Sequence, residues 1–95
     1  MNNIIEREMT ISHREFFRLL PDSIEGMQYR IAGHNVIFED DNRTFKILFS
    51  DETVRKLASL VLPVTHLRLE LNGFTETEQL KILKQFDLAY QKGGG

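Results

Sequence analysis

The chain contains no cysteine, no tryptophan and only two prolines. Without cysteine there is no disulfide framework, no thiolate zinc site and no thiol nucleophile, a usage that fits a reducing compartment and makes the cytoplasm the expected location. No apolar run approaches the roughly 20 residues that span a bilayer. The first nine residues carry Glu6, Arg7 and Glu8 and lack the apolar stretch of a signal peptide, so no membrane is expected among the partners. Charge of one sign is also missing. Twelve basic and 14 acidic residues are mixed along the chain for a net charge of -2. Nucleic-acid binding needs a dense positive face to displace counterions, so nucleic acid is not an expected partner.

What is present suits a single folded domain. The 95 residues are 41% hydrophobic and 27% charged, outside the range of disordered chains. Seven phenylalanines point to a core built on Phe, Leu and Ile. Such a chain buries roughly 60–70% of its unfolded surface, enough to fold alone with little margin.

The clearest local signal runs from Val64 to Gln91. Leu67, Leu69 and Leu71 alternate with His66, Arg68, Glu70 and Asn72, the period of a strand buried on one face. Asn72-Gly73 then makes a turn, and Thr75-Glu76-Thr77-Glu78 is a capping box opening a helix with Ile82, Leu83, Phe86, Ala89 and Tyr90 on one side. Upstream, Ser12 to Glu15 forms a second capping box, with Ile11 and Phe16 at the staple positions. Its short helix is expected to stop at Pro21, before a loop to Gly26. Tyr29–Ala32, Val36–Glu39 and Thr44–Phe49 read as a three-strand meander, turning at Gly33-His34 and at Asp40 to Asn42. Ser50 is placed to cap a further helix, on which Val54, Leu57, Ala58 and Val61 share a face and which Pro63 ends.

The expected architecture is α+β, a two-layer sandwich in α-β-β-β-α-β-α order, with a mainly antiparallel sheet and helices on one face. Residues 1–10 are expected to form a flexible segment, 11–92 the domain and 93–95 a flexible glycine tail.

Chemistry is sparse. His13, His34 and His66 show no metal-gripping spacing and are expected to play surface roles. Glu39-Asp40-Asp41-Asn42 lacks the calcium-loop pattern and is better explained as a turn whose side chains bond their own backbone. Ser12, Ser50 and Ser59 lie in no nucleophile elbow, and Gly26, Gly33 and Gly73 stand apart from any phosphate-binding loop. The expectation is a non-enzymatic protein with no catalytic, metal or cofactor residues.

The functional expectation is therefore a surface. With Phe45, Ile47, Phe49 and the three leucines facing the helices, the other side of the sheet carries Ile37, Lys46, Leu48, His66, Arg68 and Glu70. Two aliphatic residues amid charges suit a protein partner or a second copy, so these six are the candidate protein-binding residues of an adaptor-like domain, with homodimerisation as a related possibility. A second reading starts from Gly94-Gly95, which resembles the end of ubiquitin-like carrier proteins. That resemblance implies a carboxylate for an activating enzyme; it covers two residues, and here the tail follows a helix where the carriers' follows a strand. A nucleic-acid-associated regulator is the third reading, and it needs basic residues gathered by folding.

Overall fold

The computed structural model describes residues 2–93. Eight elements follow in order: β1 (Asn2–Met9), α1 (His13–Ser23), β2 (Tyr29–Ala32), β3 (Asn35–Asp40), β4 (Arg43–Phe49), β5 (Thr53–Leu57), β6 (Leu60–Asn72) and α2 (Glu76–Gly93). The protein is a small α+β fold with a six-stranded antiparallel sheet and two helices. The sheet runs β1-β6-β4-β3-β2, and among the described residues β5 pairs with β6 alone.

Alternation along the central strands makes the core. Leu67, Leu69 and Leu71 of β6 and Phe45, Ile47 and Phe49 of β4 are buried with Val36 of β3, against Phe16, Leu19 and Leu20 of α1 and Phe86 and Tyr90 of α2. Both helices thus share one core with one face of the sheet. The Phe16 and Tyr90 rings stack at 5.7 Å, and the Tyr90 hydroxyl donates to the Phe16 carbonyl at 2.9 Å, tying the helices together. Burial pushes the Tyr90 phenol well above its ordinary range, because the interior penalises the phenolate.

The helix starts follow their caps. Thr75 N–H donates to Glu78 Oε1 at 2.8 Å and Glu78 N–H to Thr75 Oγ1 at 3.2 Å, a complete capping box. Ser12 Oγ accepts from Glu15 N–H at 3.1 Å, but the Glu15 carboxylate turns to Arg18, so this second box is half formed. Pro21 lies inside α1 rather than ending it. Its missing N–H removes one helical bond, yet the last turn closes with Ile24 N–H on the Leu20 carbonyl at 3.2 Å and Ser23 Oγ donating to the same oxygen at 2.8 Å.

Two segments differ from the sequence expectation. Residues 2–9 are not a loose leader: they form edge strand β1, paired with β6 from Asn2↔Asn72 to Met9↔Thr65. Ile5 and Met9 pack against the core, and Arg7 reaches Asp87 of α2 at 3.2 Å. Gly94 and Gly95 of the expected tail lie outside the described residues, while Gly93 ends α2.

The second correction concerns the helix expected from Ser50. Thr53–Leu57 and Leu60–Val64 form a two-stranded hairpin instead, turning at Ala58-Ser59. Helical spacing placed Val54, Leu57, Ala58 and Val61 on one face, but no core awaits that face. All of β5 is exposed. The β-branched Thr53, Val54, Val61 and Val64 suit a pleated strand, and β6 offers an edge to pair with. Between Phe49↔Leu67 and Thr53↔Val64 the first strand advances four residues and β6 three, so Ser50 to Glu52 hold one extra residue, as in a bulge. Ser50 N–H still donates to the His66 carbonyl at 2.9 Å, so β5 continues β4 along the same edge of β6. The 13 residues of β6 span roughly 43 Å at strand rise, which accounts for the molecule's extents of 48 × 25 × 21 Å.

Candidate protein-binding face

The sheet side opposite the core is built by the even positions of β6 and β4 and their neighbours. Cross-strand register sets two rows. Ile4, Glu70, Lys46, Ile37 and Arg30 form one; Glu6, Arg68, Leu48, Asn35 and Ala32 form the other. His66, opposite Glu8, begins a third at the end nearest the hairpin. All six residues expected to form a binding face therefore share it: Ile37, Lys46, Leu48, His66, Arg68 and Glu70. Lys46 stands directly opposite Glu70, and Arg68 Nε lies 3.1 Å from Glu70 Oε2. His66 and Arg68 are exposed, while Ile37, Lys46, Leu48 and Glu70 are half-buried by one another.

Sequence reasoning missed two contributions to this face. With residues 1–10 read as loose, Ile4, Glu6 and Glu8 of β1 were not assigned to it, although the alternation of Ile5, Arg7 and Met9 carries the signal. Arg30 and Ala32 of β2 join at the far edge, where Arg30 bonds Glu39 at 2.7 Å. The grid is chequered: acids and bases alternate around Ile4, Ile37 and Leu48. Such a face holds no field of one sign. Near His66 it dips into an open hollow of about 640 Å³ lined by Glu6, Glu8, Leu48, Ser50, His66 and Arg68 among others.

The three histidines, which show no metal-gripping spacing in the sequence, come together at the β4–β5 junction. His13 Nε2 donates to the Ser50 carbonyl at 2.7 Å, with the proton on that nitrogen because a carbonyl only accepts. His34 Nε2 lies 2.9 Å from Asp51 Oδ1, and His66 N–H donates to Ser50 Oγ at 3.0 Å. His13 and His34 lie 5.4 and 5.2 Å from the Phe49 ring. Glu52 Oε1 accepts the His13 backbone N–H at 2.8 Å, anchoring the junction to the start of α1. Among the described residues no group of three or more His, Asp or Glu could hold a metal ion. Ser50 is thus a junction residue rather than a helix cap, and Ser59 lies in the hairpin turn.

The acidic turn between β3 and β4 is held by Arg43, which pairs with Asp40 and, at 2.8 Å, with Glu78. The guanidinium keeps the Asp40 carboxyl below the usual carboxylate range; Glu78 lies low chiefly because it accepts the Thr75 N–H. Glu39 of the same cluster pairs with Arg30.

No helix among the described residues is long and apolar enough to cross a membrane. The geometry defines a class, a small α+β domain with one sheet face left open beside a projecting hairpin. Compared with protein-family models, curated proteins and solved structures, the chain matches none.

Proposed function

We propose that the chain is a small non-enzymatic protein-binding domain that takes its partner on the open sheet face. The observation that carries this reading is the convergence of Ile37, Leu48 and Ile4 within one grid of paired opposite charges. Aliphatic side chains supply area to desolvate, and Lys46, Arg68 and Glu70 supply orientation around them, the division of labour found at protein interfaces. Both helices share their core with the other side of the sheet, which supports a face free to meet a flat or strand-like surface. Each buried aliphatic side chain is worth about 1.5–3 kcal/mol, enough for Ile37 and Leu48 together to decide a transient interaction.

The test is the pair Ile37→Asp and Leu48→Asp, compared with the wild type by proximity labelling in the native cell and by quantitative binding of each partner recovered. The variants keep the core untouched, and circular dichroism checks that they fold. The expected outcome is a loss of more than about 100-fold in affinity for the dominant partner. Every partner binding the folded double variant as tightly as the wild type would refute the proposal.

A further inference from the structure

The β5–β6 hairpin carries four of the large exposed apolar side chains: Val54 at 63%, Leu57 at 51%, Leu60 at 59% and Val61 at 60% of full exposure. A two-stranded ribbon with no helix against it is only marginally stable in water. We infer that β5 is the interface with a second copy of this chain, the two β5 strands pairing antiparallel across a two-fold axis at Val54. This surface is separate from the open sheet face, and the inference stands or falls independently of that reading.

The hydrogen-bonding edge identifies the strand. Val54 lies opposite Pro63, which has no N–H, so theirs is the wide pair of the ladder that exchanges no backbone bonds. Val54, and by alternation Lys56, therefore aim N–H and C=O away from β6. All of β5 is exposed, and among the described residues it pairs with β6 alone. The hairpin's other edge is blunted, because Pro63 removes the donor there. One edge lacks a donor at Pro63, and the other is complete.

Charge selects the occupant and the register. Arg55 is spent on Glu8 of its own chain. Lys56 has no carboxylate partner among the described residues, and Glu52 uses one carboxylate oxygen on the His13 N–H. A two-fold at Arg55 would set two guanidiniums face to face, and one at Lys56 two ammoniums. A two-fold at Val54 places Val54 against Val54 of the second copy, Thr53 against Arg55, and Glu52 against Lys56 on both sides. In that register Val54 faces its counterpart across a bonded pair, and the Glu52–Lys56 pairs continue the ladder. The resulting four-stranded ribbon gathers Val54, Val61 and Pro63 of both copies on one side. Self-complementarity of this kind is what a closed two-fold contact requires.

The experiment is sedimentation velocity of the full chain from about 1 to 300 μM, spanning a weak contact of this size. The wild type is expected to pass from monomer to dimer across that range. Val54→Pro removes an outward N–H that the hairpin itself does not use, so the fold stays and dimerisation is lost. Lys56→Glu sets acid against Glu52 and is expected to weaken the dimer at least about tenfold; Glu52→Lys with Lys56→Glu restores the pairing. A wild type that stays monomeric at 300 μM overturns the inference, whether the hairpin serves a foreign peptide or nothing. So does a dimer that persists in folded Val54→Pro. Should that variant fail to fold, undiminished dimerisation of Lys56→Glu overturns the inference equally. Loss of the dimer in Ile37→Asp with Leu48→Asp, but not in the β5 variants, would also overturn it and assign self-association to the sheet face.

Discussion

Replacing Gly73 by alanine tests how tightly the β6–α2 junction crosses the β3–β4 turn. Gly73 has φ +81°, and a Cβ there would meet the Asn42 carbonyl oxygen at 1.9 Å and the Arg43 Cα at 3.2 Å. The left-handed backbone alone costs an alanine about 1–2 kcal/mol. The overlap is with backbone, which no rotamer change relieves, so the turn must move by about 1 Å or more; strain of this kind costs about 1–3 kcal/mol. The sum, about 2–5 kcal/mol, compares with a total stability on the order of 5–14 kcal/mol for a chain of 95 residues. Moving the turn also disturbs Arg43, which bridges Asp40 and Glu78 and lies 5.5 Å over the Phe74 ring. Gly33 is the internal control, with φ +60° and nothing within 4 Å of its Cβ position. Gly33→Ala should cost at most about 1–2 kcal/mol, reduced by the stiffer unfolded chain. Urea unfolding followed by circular dichroism separates the two, with an expected midpoint loss on the order of 1–3 M for Gly73→Ala. If the two variants unfold at the same midpoint, the close crossing of junction and turn is refuted.

Two further outcomes follow from local geometry and charge. Ala58 has φ +54° at the first position of the hairpin turn, where glycine is preferred, so Ala58→Gly should stabilise the hairpin by about 0.5–1 kcal/mol; amide exchange at Arg55 and Leu62, the pair whose N–H groups face each other across the hairpin, should slow, and unchanged exchange would contradict the strained turn. Glu15, Asp40 and Glu78 have carboxyl pKa values held down by Arg18, by Arg43 and by the Thr75 N–H respectively. Their contribution is therefore full above the unfolded values near 4 and fades as pH falls through the lower folded values. The urea midpoint should hold from pH 7 to about 5 and drop below about 4, less steeply in Glu78→Gln; a flat profile to pH 2.5 would contradict those pairings.

Legibility differed between segments for physical reasons. The leucine alternation of β6 and the Thr75–Glu78 box are strong signals because each side chain does locally what its sequence position implies. The same alternation correctly put His66, Arg68 and Glu70 on one face. Val54, Leu57, Ala58 and Val61 misled because apolar spacing does not distinguish a helix that finds a core from a hairpin that leaves it exposed. The decisive facts were tertiary: a free length of β6, and a turn that tolerates alanine at positive φ. β1 was hidden by its polar composition, although its pairing needs only Ile5 and Met9 on the core side. The junction histidines gave no signal at all, since separations of 21 and 32 positions collapse only after folding.

The first strand has a consequence for the birth of the molecule. Of the described elements β1 is made first, yet among the described residues its ladder partner is β6, the strand that completes the sheet just ahead of α2. Some sixty residues must be synthesised before Asn2–Met9 can dock, and pairings between such distant stretches of chain are intrinsically slow to form. Until then the flank of β6 carrying Thr65 to Asn72 stays uncovered. That flank accepts eight residues of extended backbone, and an uncovered strand edge of this kind can also pair with the matching segment of a neighbouring chain.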